Sequence, residues 1–124
     1  MEEHAPTTVY RIASRTEWAD AQRSGELRPE RFEEEGFVHL SKLDQILRPA
    51  NLLYRGQSDL VLLVIRVDRL TADLVYEPGS HGEEENFPHL YGPLNVDAVD
   101  GTIDFPGESD GSFVLPQELA SPRS

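Results

Sequence analysis

Two of the four histidines stand where folding has no use for a titratable ring. His39 lies in Gly36-Phe37-Val38-His39-Leu40-Ser41, and His89 lies in Asn86-Phe87-Pro88-His89-Leu90-Tyr91-Gly92-Pro93-Leu94. The other two, His4 and His81, have polar neighbours. An imidazole titrates near neutral pH, so a ring at a cleft can act as acid, base or hydrogen-bonding anchor. Side chains alternate along a strand, which puts Phe37, His39 and Ser41 on one face and Val38 and Leu40 on the other. His39 and Ser41 then end a strand just before a helix, a frequent place for a ligand crevice. The plainer reading is a half-buried His satisfied by a backbone carbonyl.

In the second segment, His89 and Tyr91 share a face if the chain is extended. Tyr91 offers a ring for stacking and a hydroxyl for hydrogen bonding. Pro88 and Pro93 restrict the backbone, and Gly92 admits the close approach of another chain or a ligand. The same residues also fit a structural corner in which Tyr91 plugs the core. Glu77 precedes a Pro-Gly turn and is either a carboxylate at the cleft edge, as general base or ribose anchor, or a solvated edge acid. His81, Glu83, Glu84 and Glu85 with His89 form an oxygen-rich cluster whose spacing matches no metal motif, so it reads as a charged loop. The expectation is that His39 and His89, far apart in sequence, face one concave pocket.

The elements that must position them follow from pattern. Thr8 to Ala13 reads as a strand. Ser14 with Glu17 three residues on is a capping box opening a helix from Arg15 to Ser24, with Trp18, Ala21 and Gln22 on one face and Gly25 as its stop. Leu27 to Glu35 is a polar connection. Phe37 to Leu40 is a short strand, and Ser41 with Asp44 opens a helical stretch whose second part carries Pro49 in its first turn. Leu60 to Val67, apolar on both faces, is a central covered strand. Asp68 to Ala72 turns the chain into a strand at Leu74 to Tyr76, and Pro78 to Asn86 is a Gly- and Glu-rich loop. Short strands are expected around Tyr91 to Val99, Thr102 to Phe105 and Ser112 to Leu115.

A chain of 124 residues is one domain and long enough to bury a core. It has no Cys, so disulfides and thiolate metal sites are excluded. The formal net charge of −12 opposes polyanions, and no nucleic-acid partner is expected. No apolar run is long enough to span a membrane, and the N-terminus lacks the pattern of a leader, so a cytoplasmic bacterial-type protein is the expectation. Dinucleotide fingerprints, P-loops, nucleophile elbows and H-E-x-x-H are all absent. Ser41 and His39 make no triad, because no oxyanion-hole signal accompanies them.

Taken together, Tyr10-Arg11-Ile12, Trp18, Gly25, Leu27, the string Gly36 to Ser41, Gln45, Asp59 to Leu63, Phe87 to Leu94 and Asp110 to Phe113 resemble the small bacterial domain-of-unknown-function family 952 over about Val9 to Pro116. More remotely, the order of Tyr10, a helix with Trp18, Gly25, Leu27 and then His39-Leu40-Ser41 is similar to the first half of the RNA 2′-phosphotransferases. Those share the ADP-ribosyltransferase fold, a split β-sheet whose cleft holds NAD or an ADP-ribosylated intermediate. The resemblance implies that His39 and Ser41 occupy its second motif. Tyr10-Arg11-Ile12-Ala13 departs from the Tyr-His-Gly-Thr of its first motif, where Arg11 stands in for the His and the Gly is missing. The third motif, often a Glu, has His89 and Tyr91 as its best occupants. The basic RNA-binding partner domain has no counterpart here, so the resemblance does not extend to an RNA substrate.

The resulting expectation is a single α+β domain over 8–116, an ADP-ribosyltransferase-like split β-sheet with two or three short helices mainly in the N-terminal half and flexible termini at 1–7 and 117–124. His39 and His89 are the candidate catalytic residues, and Arg11, Ser41, Tyr91 and Glu77 the candidate substrate-binding ones, with no metal and with no cofactor assigned. The activity is either an enzyme, transferase-like with ADP-ribosyl or phosphate-ester chemistry on a nucleotide or ADP-ribose-containing small molecule, or a non-catalytic module. NAD or ADP-ribose stands as substrate rather than cofactor. The non-catalytic alternative includes a protein-interaction domain meeting a basic partner through Gly82 to Glu85.

Overall fold

A computed structural model describes residues 7–79 and 84–120. The first strand, β1 (Thr8–Ser14), runs into α1 (Arg15–Ser24), then β2 (Glu26–Leu27), α2 (Phe32–Glu35) and β3 (Val38–His39). A single 3-10 turn at Leu43–Gln45 leads to α3 (Leu47–Leu53) and β4 (Leu60–Arg66). The second half is β5 (Asp73–Pro78), β6 (Asn86–Tyr91), β7 (Leu94–Asn95), β8 (Val99–Asp104) and a last helical turn, α4 (Gln117–Ala120). The class is α+β, with the longer helices in the first half.

The strands form three sheets ordered β1–β4–β8, β2–β7 and β3–β6–β5. Every named pairing is antiparallel. β4 is central and pairs with β1 along its whole length, from Thr8 opposite Arg66 to Ser14 opposite Leu60. The first and third sheets touch through a single bridge, Tyr10 opposite Ser41, closed by two 2.8 Å backbone hydrogen bonds. Among the described residues no further pairing joins β1 and β3, and residues of both strands line the site.

Alternation along β1 and β4 builds a core on each side. Val9, Ala13, Val61, Leu63 and Ile65 pack with Leu27, Val38, Leu40, Leu90 and Leu94 on one side. Tyr10, Ile12, Leu60 and Leu62 pack with Ile46, Ala50, Phe105 and Phe113 on the other. Each fully buried Leu or Ile here contributes about 1.5–3 kcal/mol relative to exposure. This is why Leu60 to Arg66 reads as apolar on both faces.

Helix α1 begins as the sequence suggests: the Ser14 hydroxyl accepts the Glu17 N–H at 3.0 Å, and the Gly25 N–H closes on Ala21. The reciprocal half of the capping box is not made, because the Glu17 carboxylate is drawn to Arg11 instead. Ala21 is buried and Trp18 half-buried, but Gln22 is exposed and does not belong to the packed face.

Other local expectations are corrected. The polar connection from Leu27 to Glu35 holds β2 and α2. Ser41 is not a helix cap; its backbone is taken by Tyr10, and Gln45 caps the turn by accepting the Lys42 N–H at 3.0 Å. Pro49 does sit in the first turn of α3. The stretch expected around Tyr91 to Val99 is broken at Gly92-Pro93 into β6 and β7. No strand forms at Ser112 to Leu115: the Phe113 N–H is taken by the Asn51 side chain, and its ring stacks on Phe105. Within the segment expected as a C-terminal tail, α4 forms and Leu119 packs on the second core. Among the described residues, no helix is long and apolar enough to cross a membrane. The proposed cluster residues His81 and Glu83, and Gly82 of the acidic loop, lie outside the described residues, as does His4.

Candidate functional site

His39 on β3 stands directly opposite His89 on β6. Residues opposed across an antiparallel pair project to the same side, and these two rings meet edge to face with centroids 5.3 Å apart. Phe37 shares that face, stacked on His89 at 4.2 Å and edge-on to His39 at 4.8 Å. Gly36 makes this possible: at φ 83° it ends α2 in the left-handed region and turns the chain into β3. Val38 and Leu40 point the other way and are buried in the core.

A carboxylate holds each imidazole, and each uses a different ring nitrogen. Glu77 of β5 accepts from His89 Nδ1 at 2.7 Å and from the Tyr91 hydroxyl. Glu35, the last residue of α2, lies 2.9 Å from His39 Nε2. An ionised carboxylate only accepts. The neutral His89 ring therefore carries its proton on Nδ1 and leaves Nε2 as acceptor, while neutral His39 carries it on Nε2 and leaves Nδ1. His89 is 2% exposed, whereas the His39 side chain is 36% exposed.

Burial pushes the His39 imidazole below its ordinary pKa; Glu35 opposes the shift, and His89 and Arg11 add to it. The hydrogen bonds from Tyr91 and then His89 hold the Glu77 carboxyl below its usual range. The Tyr91 hydroxyl is raised, chiefly by its bond to Glu77.

A cleft of about 430 Å³ opens beside the pair. Arg11, His39, Ser41 and His89 line it, joined by Glu35 and Arg31. Pro49, Leu53, Tyr54 and Phe87 add apolar and aromatic groups to the lining. Four of the six residues singled out from the sequence thus line one cavity. Tyr91 and Glu77 are not on its wall. Tyr91 is 43% exposed, so it does not plug the core, and Glu77 is a buttress behind His89 rather than a free edge acid.

The Arg11 guanidinium is largely occupied. Nη1 donates to the His39 carbonyl at 3.1 Å, and Nη2 lies 3.3 Å from Glu17. Its Nε is buried and has no hydrogen-bond partner among the described residues. Among the described residues, no group of three or more His, Asp or Glu side chains is arranged to hold a metal ion.

Several contributors escape a reading of the sequence. Glu35 sits in an acidic run that looks like a solvated face, and only the turn at Gly36 folds it back onto His39. Gln45, 2% exposed, donates to Glu85 at 2.9 Å and to the Asn86 carbonyl at 2.7 Å, fastening the start of β6 to the turn after β3. Its presence among the residues that carry the family resemblance was the available signal. Tyr54 gave none.

With the geometry in place, comparison with known proteins adds the following. The family model described as a protein of unknown function (DUF952) matches residues 12–102. The crystal structure of protein CC0527 from Caulobacter crescentus is similar, with 37% identity and a TM-score of 0.81, over 92% of this chain and 99% of that one. The solution structure of the same protein gives 37% identity and a TM-score of 0.77, over 93% and 98%. No match is found among curated proteins.

Proposed function

We propose, for a chain that belongs to the DUF952 family, that the His39–His89 cleft binds a ribose-bearing nucleotide of the ADP-ribose or NAD class and that His39, the more exposed of the two rings, serves it as an acid–base group. The observation that carries this reading is the opposition of two carboxylate-oriented imidazoles in one cleft that apolar and aromatic groups also line. A core needs neither the rings nor the carboxylates. The cavity volume falls in the range of small-molecule sites. Tyr54 offers a flat surface for a base or nicotinamide ring, and the His39 nitrogen not held by Glu35 offers an acceptor for a ribose hydroxyl.

Chemically, the arrangement suits a transferase-like reaction, either ADP-ribosyl transfer or phosphate-ester chemistry. Nδ1 of neutral His39 takes the proton of an attacking hydroxyl as its oxygen bonds to the ribose C1′ of NAD; the C1′–N bond breaks and nicotinamide leaves as a neutral molecule. On a phosphate ester, the imidazolium returns the proton to the leaving alkoxide. Glu35 on Nε2 stabilises the imidazolium meanwhile. The parting of two sheets at the Tyr10–Ser41 bridge supports an ADP-ribosyltransferase-like architecture, in which such a cleft holds the dinucleotide.

A second reading, a binding module without turnover, is favoured by one observation. Both terminal nitrogens of Arg11 are already engaged, so the first-strand ribose or phosphate anchor of the transferases has no free counterpart. A thermal-shift screen with NAD, ADP-ribose, simple nucleotides and inorganic phosphate, followed by chromatography of the incubated ligand, separates the readings. Stabilisation with product formation supports the enzyme. Stabilisation with intact ligand supports the module, and no stabilisation by any of them removes both.

A further inference from the structure

We infer that Arg11 is a positioning residue: it acts on the cleft through the backbone of His39, at the point where the two sheets part, and not by touching a ligand. The argument starts from strand geometry. In an antiparallel ladder, backbone polar groups two residues apart aim to the same side. Ser41 spends both of its backbone groups on Tyr10. His39, two residues earlier, aims its carbonyl toward the same side, but no ladder pair joins β1 and β3 beyond the Tyr10–Ser41 bridge among the described residues. Nη1 of Arg11 takes that carbonyl instead, at 3.1 Å.

The residue is built in for this purpose. Alternation places Arg11 on the face of β1 that carries Val9 and Ala13, both buried in an apolar core. Arg11 itself is only 9% exposed. An isolated guanidinium there is costly, and Glu17 offsets it from the first turn of α1, where the Ser14 hydroxyl fixes the Glu17 N–H. The planar fork reaches the carbonyl and the carboxylate at once, which a Lys ammonium does not do with the same geometry. The chain of contacts from Ser14 through Glu17 and Arg11 to His39 ties the start of α1 to the edge of the cleft. The charges facing His39 are Glu35 from α2, His89 from β6 and Arg11 from β1, with Glu17 behind Arg11.

The titration is made without ligand, so its outcome does not depend on the nucleotide proposal. Imidazole titrations and the His39 carbonyl-carbon resonance are followed by NMR in the wild type, Arg11→Met, Arg11→Lys and Glu17→Gln. The expected result is an upward move of the His39 midpoint in Arg11→Met, larger than any move of His89. A change in the His39 carbonyl resonance is expected in both Arg11 variants, with the Lys variant's midpoint closer to wild type because it keeps the charge. Glu17→Gln, which leaves Arg11 uncompensated, moves the His39 midpoint down and supplies the test if Arg11→Met does not fold. Unchanged His39 titration and carbonyl resonance in these variants overturn the inference. So does loss of stabilisation by ADP-ribose or inorganic phosphate in Arg11→Lys with His39 undisturbed, since that marks Arg11 as a ligand contact.

Discussion

His39 and His89 face each other across one rung of a β-ladder, yet each is oriented through a different ring nitrogen. His89 gives Nδ1 to a carboxylate and is almost wholly enclosed. His39 gives Nε2 and stands half in solvent. The pair is therefore asymmetric: one ring is fixed and shielded, the other accessible.

That asymmetry predicts unequal stability costs. His89→Ala removes a buried ring and the partner of Glu77 at 2.7 Å, and is expected to cost about 1–3 kcal/mol. His39→Ala is expected to cost less than about 1 kcal/mol, since its hydrogen bond to Glu35 is partly solvated. Urea unfolding of both variants measures the difference. Equal losses contradict the asymmetry.

Glu77 makes the acid limb of stability informative. Its folded pKa is depressed from the ordinary value of 4.5 by Tyr91 and then His89. A depressed carboxyl contributes stability that is present above the unfolded pKa and lost as pH falls through the folded one. Glu77→Gln is therefore expected to flatten the decline in stability below about pH 4.5 relative to wild type. An unchanged slope in parallel unfolding curves excludes the buttress role.

Gly92 tests why the Phe87 to Leu94 string is built as it is. A Cβ there lies 2.6 Å from Cβ of Ala72. The close approach anticipated at this glycine is therefore to the segment before β5, not to a ligand. Gly92→Ala is expected to destabilise by about 1–3 kcal/mol, and pairing it with Ala72→Gly is expected to recover most of the loss. Failure of that rescue, seen in melting temperatures, shows the constraint lies elsewhere.

What the sequence discloses and what it hides have physical causes. His39 and His89 stand out because each interrupts an apolar strand, and Leu60 to Arg66 stands out because both its faces are buried. Ser14 and Gly25 mark α1 because caps are local chemistry. The partners of the histidines were harder to read. Glu35 reaches His39 only through the turn at Gly36, and Arg11 meets the His39 carbonyl across the parting of two sheets. Ser112 to Leu115 has a strand's composition but is held by Asn51 and Phe105, a tertiary outcome that no local pattern encodes.

The most direct test of the proposed cleft is a titration of ADP-ribose into isotopically labelled protein, read by NMR at every assigned side chain. The expected result is saturable movement at His39, His89, Phe87 and Leu53, all of which line the cleft. His89→Gln is expected to weaken binding by about tenfold, equivalent to about 1.4 kcal/mol. Absence of saturable shifts at millimolar ADP-ribose and NAD, or shifts confined to residues remote from both histidines, contradicts the account.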